Sequence, residues 1–248
     1  MLQRKNRPCG VCHTQEQREI KFVSPMRYYD PNEIRAASSE IRKKFQTGRP
    51  LPLKGRAVGI FERAVPDRGA RVLEIGPGAG RFLKALEGDG YRHLSACDID
   101  RYLLLDVERV IERFADLDLS FDKLPWEDNS FDAVCAWEVL EHLENPHHAV
   151  REIARVLTPG GVFLLSLPNI FHIVSRLVFL KRGLFPQWNE SNNHISLFPR
   201  GVFEKAILRY FEQIESGFVG SGINLPVLRH IRIFPENEWF GRWAYYVL

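Results

Sequence analysis

The chain has 248 residues, 45% hydrophobic and 26% charged, with a formal net charge of +3. This suits one sizeable α/β domain with an added cap, and no tract is biased enough to be disordered or repetitive. The charge is uneven: residues 1–62 carry 13 Lys/Arg against 6 Asp/Glu, and the remainder carries 21 against 25.

The opening MLQRKNRPCG is basic with no apolar run behind it, so no secretory leader is expected and a cytoplasmic protein is the default. Cys9 and Cys12 in CGVCH form half of a zinc knuckle, but no second Cys-x-x-Cys completes it. A metal there would need His13 and a ligand from elsewhere. The basic lead segment lacks interleaved aromatics, so it reads as a solvated face rather than a nucleic-acid surface. Ile34, Ala37, Ile41 and Phe45 predict an amphipathic helix over 31–47, and a second over 54–65 stops at Pro66. Residues 1–66 are thus expected to form a basic helical cap, with Tyr28 and Tyr29 able to close over a ligand, and 67–248 the main domain.

That domain alternates strands and helices. RVLEI (71–75) predicts a first strand, followed by a glycine run and a helix from Arg81. HLSACDI (93–99) is a second strand, a short helix falls near 101–107, and a third strand lies within 110–116. FDAVCAW (131–137) is a fourth. The small thiols of Cys97 and Cys135 are expected to be buried and free, as in a reducing compartment. A helix over 147–157 stops at TPGG, and VFLLSL (162–167) is apolar throughout, like a central parallel strand covered on both faces. The apolar run 161–185 is broken by Pro168, Asn169, His172 and Arg176, so no spanning helix is expected. After a helix over 200–211, FEQIESGF and WAYYVL close the chain as an antiparallel pair. The expected fold is α/β: a Rossmann-like, doubly wound, mostly parallel seven-stranded sheet with an antiparallel last strand.

In such sheets ligands sit beyond the carboxyl ends of the strands, where strand order reverses. Gly76, Gly78 and Gly80 stand at that point, and residues without side chains let a ligand rest against the backbone. Their G-x-G-x-G spacing departs from the dinucleotide fingerprint, and Glu74 just upstream would repel a pyrophosphate but suits a cationic ligand. Asp98, ending the second strand, can accept both hydroxyls of a ribose. Asp116, after the third, can accept from an adenine amine.

The ordered segments VLEIGPGAGRFL, CDID, FADLD, LPWEDNSFDAV, EVLEHLENP and EIARVLTPGGVFLLSLPN resemble the class I S-adenosylmethionine-dependent methyltransferases, in the broad group similar to ubiquinone-biosynthesis methyltransferases. The likeness covers roughly residues 70–169. It implies S-adenosylmethionine as cofactor, with Glu74 orienting the loop and the methionine ammonium, and Gly76, Gly78 and Gly80 lining the methionine moiety. By the same likeness Asp98 would hold the ribose, while Asp116 and the Leu117 amide would read the adenine edge. Trp137 would wall the cofactor or simply pack.

WEVLEHL places Glu138, Glu141 and His142 on one face if the segment is helical. Two carboxylates and an imidazole suit Mg²⁺ or Mn²⁺, and this E-x-x-E-H resembles the metal pattern of some ubiquinone-pathway O-methyltransferases and small-RNA 2′-O-methyltransferases. His194 would supply a further ligand or a base. Without metal, His142 is the candidate base. The insertion 169–198 is expected to choose the substrate. It reads as a packed lid, and its apolar half with Arg176, Lys181 and Arg182 also suits a greasy acceptor or peripheral membrane contact. The expected activity is O-methylation of a small or lipid-linked metabolite. The rivals are a nucleic-acid methyltransferase and a non-enzymatic cofactor-binding protein on the same fold.

Overall fold

The computed structural model describes residues 54–101, 103, 105–188, 193–220 and 236–248. The expected helix over 31–47, the Cys9–Cys12–His13 segment, Tyr28 and Tyr29 lie outside the described residues. In chain order the elements are α1 (Lys54–Ala64), β1 (Val72–Ile75), α2 (Arg81–Gly88), β2 (Leu94–Asp98), α3 (Leu105–Glu108), β3 (Arg113–Asp116) and β4 (Phe131–Trp137). A 3₁₀ turn (Leu140–His142) follows, then α4 (Pro146–Val156), β5 (Leu157–Pro168), α5 (Ile173–Arg182), α6 (Arg200–Ala206), β6 (Glu215–Val219) and β7 (Trp243–Val247).

The strands form one sheet in the order β3-β2-β1-β4-β5-β7-β6. β3, β2, β1, β4 and β5 pair in parallel, and β7 runs antiparallel to both β5 and β6. The chain therefore steps outward from β1 to β3 and then restarts on the other side of β1 with β4. The order reverses between β1 and β4, which is where such a sheet opens a ligand crevice. The antiparallel β7 is inserted between β5 and the edge strand β6, rather than lying at the edge itself.

Side chains alternate across the sheet, and each face is closed by helices. One face packs Val72, Ala96, Cys135, Trp137 and Leu164 against Phe61 of α1, Phe82 and Leu86 of α2, and Val107 of α3. The other packs Leu73, Ile75, Cys97, Val134 and Phe163 against Ile153 and Val156 of α4 and Phe203 of α6. Cys97 and Cys135 are buried and free, and burial raises both thiol pKa values. α4 starts where Asn145 accepts from the His148 amide at 3.1 Å with Pro146 next, a side-chain cap ahead of a residue that needs no partner for its missing N–H.

Two local expectations are corrected. TPGG does not separate α4 from β5. Leu157 pairs with Phe131 and Val162 with Ala133, so residues 158–161 form a bulge within β5, with Gly160 at φ 80°. The helix after residue 200 ends at Ala206 rather than 211, because the chain turns there and Phe211 packs beside Phe163 at 5.3 Å.

Candidate cofactor and acceptor site

The parallel register brings the candidate cofactor residues to one edge. Ile75 lies opposite Cys97 and Ala136, and Asp98 opposite Asp116, so the chain leaves β1, β2, β3 and β4 side by side. The β1 exit is held by the Gly76 amide donating to the Cys97 carbonyl at 2.9 Å. Gly76, Gly78 and Gly80 all have positive φ, at 66°, 54° and 74°. Their surroundings differ. A Cβ on Gly76 would meet Val139 Cγ2 at 2.7 Å, and one on Gly80 would meet Val107 Cγ1 at 2.5 Å and Leu103 Cδ2 at 2.8 Å. A Cβ on Gly78 would meet nothing within 4 Å. Gly76 and Gly80 are therefore required by packing, and Gly78 alone turns its missing side chain to the crevice.

Glu74 is buried on β1 between Ala96 and Cys135, on the same face as Trp137. Asp98 accepts from the Ile99 amide at 2.8 Å, with the Gly78 amide a further donor, yet desolvation pushes its pKa up to about 6. Asp116 is exposed at the end of β3. The Leu117 amide donates to the Asp98 carbonyl at 2.9 Å, so it continues the β2–β3 ladder and is not free to read an adenine edge. That expectation is corrected. Trp137 is buried edge-on to Phe82 at 5.8 Å, and its Nε1 has no hydrogen-bond partner among the described residues. A buried indole N–H normally finds an acceptor. The orphan donor, the clear space at Gly78 and the Asp98 carboxylate together fit a polar nucleoside ligand with an acceptor group at the β4 side.

The loop between β3 and β4 is pinned from below by a residue that sequence reasoning missed. Arg155 of α4 donates to the Trp126 and Leu124 carbonyls, both at 2.9 Å, and bridges Glu152 at 2.7 Å and Asp128 at 2.9 Å. Glu152 in turn accepts from the Leu124 amide at 2.9 Å. His148 adds a contact at 2.9 Å between its Nε2 and the Asp122 carbonyl. An arginine one turn after a glutamate on a helix is the available signal, but the two carbonyls that Arg155 serves and the amide that Glu152 holds are not legible in sequence.

Beyond β4 the acid–histidine segment is not helical as expected. Glu138 has φ 57°, a left-handed conformation that a residue with a Cβ adopts at a cost of about 1–2 kcal/mol, and its amide donates to Ser166 Oγ at 2.9 Å. Val139 then packs toward Gly76, and only Leu140–His142 form a 3₁₀ turn. The Glu141 carbonyl accepts from both the Ile195 and Ser196 amides, at 2.8 and 2.9 Å, which docks the segment around His194 onto this turn. The rings of His142 and His194 consequently meet edge-on at 4.7 Å. Trp188 flanks His194 at 5.5 Å and donates from Nε1 to the Ser196 carbonyl at 3.2 Å. Trp188 is a second residue that sequence reasoning missed.

Glu141, His142 and His194 bring ligand-type atoms within 4.8 Å of one another, and Glu138 is not one of the three. The set expected from Glu138, Glu141 and His142 is thus corrected, because the left-handed kink at Glu138 breaks the helical spacing it assumed. Glu141 is fully buried and neither carboxylate oxygen has a hydrogen-bond partner among the described residues, so desolvation raises its pKa well above the usual range. His142 Nδ1 lies 3.2 Å from the Asn193 carbonyl. A carbonyl only accepts, so Nδ1 carries the hydrogen and Nε2 keeps a lone pair. Desolvation lowers the pKa of His142, and desolvation together with the His142 ring lowers that of His194 to about 4. Both imidazoles are neutral at pH 7, which suits a base or a metal ligand.

A family model for a methyltransferase domain matches residues 73–165. Over that segment the chain is similar to S-adenosylmethionine-dependent methyltransferases. S-adenosylmethionine is the cofactor expected of this family. Among its relatives, a probable S-adenosylmethionine-dependent methyltransferase of Mycolicibacterium smegmatis is 38% identical over 41% of this chain and 39% of that one. A ubiquinone biosynthesis O-methyltransferase of Xylella fastidiosa is 34% identical over 44% of this chain and 46% of that one. The match thus spans less than half the length of either. The fold is shared with the 1,6-didemethyltoxoflavin-N1-methyltransferase of Burkholderia thailandensis, solved with S-adenosylhomocysteine bound, at TM-score 0.57 and 16% identity over 90% of this chain and 91% of that one.

Proposed function

We propose that the chain methylates a hydroxyl oxygen of a small or lipid-linked metabolite. The observation that carries this reading is the neutral His142–His194 pair, docked by the Glu141 carbonyl at the exit of β4. The oxygen chemistry of the Xylella relative supports the choice of acceptor atom. Bound S-adenosylmethionine would supply an electrophilic methyl group on a sulfonium. Asp98 accepts ribose hydroxyls, Asp116 accepts from the adenine amine, and Glu74 orients the loop and the methionine end. Trp137 and Gly78 shape the wall beside it. His142 Nε2 is the group that would take the proton of the acceptor hydroxyl when the cofactor's sulfonium carbon–sulfur bond gives way to the new carbon–oxygen bond, and Trp188 helps keep water out.

A second reading uses the same residues. Glu141, His142 and His194 fit a divalent cation, because a buried carboxylate without hydrogen-bond donors beside two neutral imidazoles is a ready donor set. Two imidazoles favour Mn²⁺, Fe²⁺ or Zn²⁺ over Mg²⁺. A cation there would lower the pKa of an acceptor hydroxyl.

The test is release of S-adenosylhomocysteine by the full chain with hydroxylated aromatic and polyprenyl acceptors, with amines and RNA as rival acceptors. We expect turnover with a hydroxyl acceptor, and a loss of about 10²-fold or more in His142→Ala with unchanged S-adenosylhomocysteine affinity. A chelator that abolishes turnover selects the cation reading, and one without effect selects the histidine base. Turnover with amines or RNA alone would refute the choice of acceptor.

A further inference from the structure

α5 is built with its apolar side outward. Val174, Leu177, Leu180 and Leu184 follow one another at three- and four-residue steps and are 50%, 59%, 82% and 60% exposed. Ser175 is the residue that faces inward. The helix is fastened to the body by other means. The Ile173 amide donates to the Trp239 carbonyl at 2.8 Å, and Arg176 bridges Glu238 while stacking over the Trp239 ring at 4.1 Å. An element anchored by polar contacts, with leucines turned to solvent, inverts the usual amphipathic arrangement.

The stripe ends in two cations. Lys181 and Arg182 are exposed in the last turn, and neither joins an ion pair among the described residues. From the same helix a line of rings leads inward: Phe179 stacks on Phe185 at 4.8 Å, Phe185 meets Trp188 at 6.2 Å, Trp188 meets His194 at 5.5 Å, and His194 meets His142. The outward stripe is therefore continuous with the candidate acceptor site.

We propose that α5 docks the protein on an anionic lipid surface, with its leucines in the headgroup–acyl boundary and Lys181 and Arg182 against lipid phosphates. A second copy of the chain fits less well. A helix of this length is about 15 Å long, and a stripe about 10 Å wide covers on the order of 200 Å², well short of the roughly 800 Å² per partner of a stable dimer. A lipid surface needs no such area, because a few leucines and two cations act together on it. No helix among the described residues is long and apolar enough to cross a membrane, so the contact is lateral. The docking rests on exposure and charge. Its use, admitting a lipid-linked acceptor along the line of rings, rests on the proposed function.

The test is co-sedimentation of the full chain with vesicles of phosphatidylcholine alone and of phosphatidylcholine mixed with phosphatidylglycerol. Wild type should partition onto the anionic vesicles, more weakly as salt rises. Leu177→Ser/Leu180→Ser should lose binding by about tenfold or more per leucine. Lys181→Gln/Arg182→Gln should lose about fivefold per charge (about 1 kcal/mol each) on anionic vesicles. Both variants should bind S-adenosylhomocysteine like wild type in calorimetry, which separates failed docking from a failed cofactor site. Wild type that ignores both vesicle types, or leucine variants that bind them unchanged, would overturn the proposal. So would light scattering that shows a wild-type dimer dissociated by the leucine substitutions.

Discussion

Gly78→Ala and Gly80→Ala place one methyl group two residues apart in the same loop, and should do opposite things. Both residues have left-handed backbone, at φ 54° and 74°, so each substitution costs about 1–2 kcal/mol in the fold. At Gly80 the methyl also meets Val107 at 2.5 Å and Leu103 at 2.8 Å, two side chains of the packed α3 side. Overpacking there adds roughly 1–3 kcal/mol. At Gly78 the methyl meets no protein atom within 4 Å and so falls in the volume a ligand would use.

At about 2–4 °C per kcal/mol for a chain of this size, Gly78→Ala should lower the melting temperature by about 2–8 °C, and Gly80→Ala by about twice as much. Calorimetry with S-adenosylhomocysteine at low temperature, where both are folded, should show the reverse order. Gly78→Ala should lose roughly 10- to 100-fold in affinity, since overlap of one methyl with a fitted ligand costs on the scale of overpacking. Gly80→Ala should bind close to wild type. Wild-type affinity in Gly78→Ala, or lost affinity with an unchanged melting temperature in Gly80→Ala, would refute these roles for the two glycines.

Cofactor affinity should depend on pH through Asp98. Its pKa near 6 means the acceptor form is complete above pH 7, and as pH falls below 6 protonation should weaken S-adenosylhomocysteine binding by about tenfold per unit; Asp98→Asn should bind weakly at every pH with that slope gone. Arg155→Met should destabilise the domain by roughly 3 kcal/mol in urea unfolding, by stranding Glu152 and the Leu124 and Trp126 carbonyls, and a loss under about 1 kcal/mol would mean that this network behaves as a surface pair.

The sheet was readable from sequence because its central strands are covered on both faces. VLEI, SACD and FDAVCAW are buried along nearly their whole length with a single acid in each, so a short run of apolar and small residues between turn signals suffices to place them. β3 is less legible because it is an edge strand. Arg113 and Asp116 are exposed, and only its contact with β2 distinguishes it from the residues before it. The position of β7 inside the sheet was not readable, since nothing in WAYYVL says that it will enter between β5 and β6 rather than beyond them.

The candidate site divides along the same line. Its cofactor side is made of strand ends and the loop between β1 and α2, whose spacing is local in sequence and whose register the sheet enforces. Its acceptor side depends on contacts between distant backbones. Glu138, Glu141 and His142 have helical spacing in the chain, yet the Glu138 amide is taken by Ser166 from β5, and Val139 must lie over Gly76 from the β1 loop. Those two demands kink the chain at Glu138, which leaves it outside the Glu141–His142–His194 group, and a carbonyl at Glu141 receives Ile195 and Ser196. The partner of His142 is therefore chosen by hydrogen bonds from a segment more than fifty residues later, in which only the histidine itself was conspicuous. The approach of the two imidazoles rests on that long-range docking, so removing the Ser166 hydroxyl, which accepts from the Glu138 amide, or the Ser196 hydroxyl, which donates to the Leu143 carbonyl at 2.7 Å, should loosen it without touching either histidine.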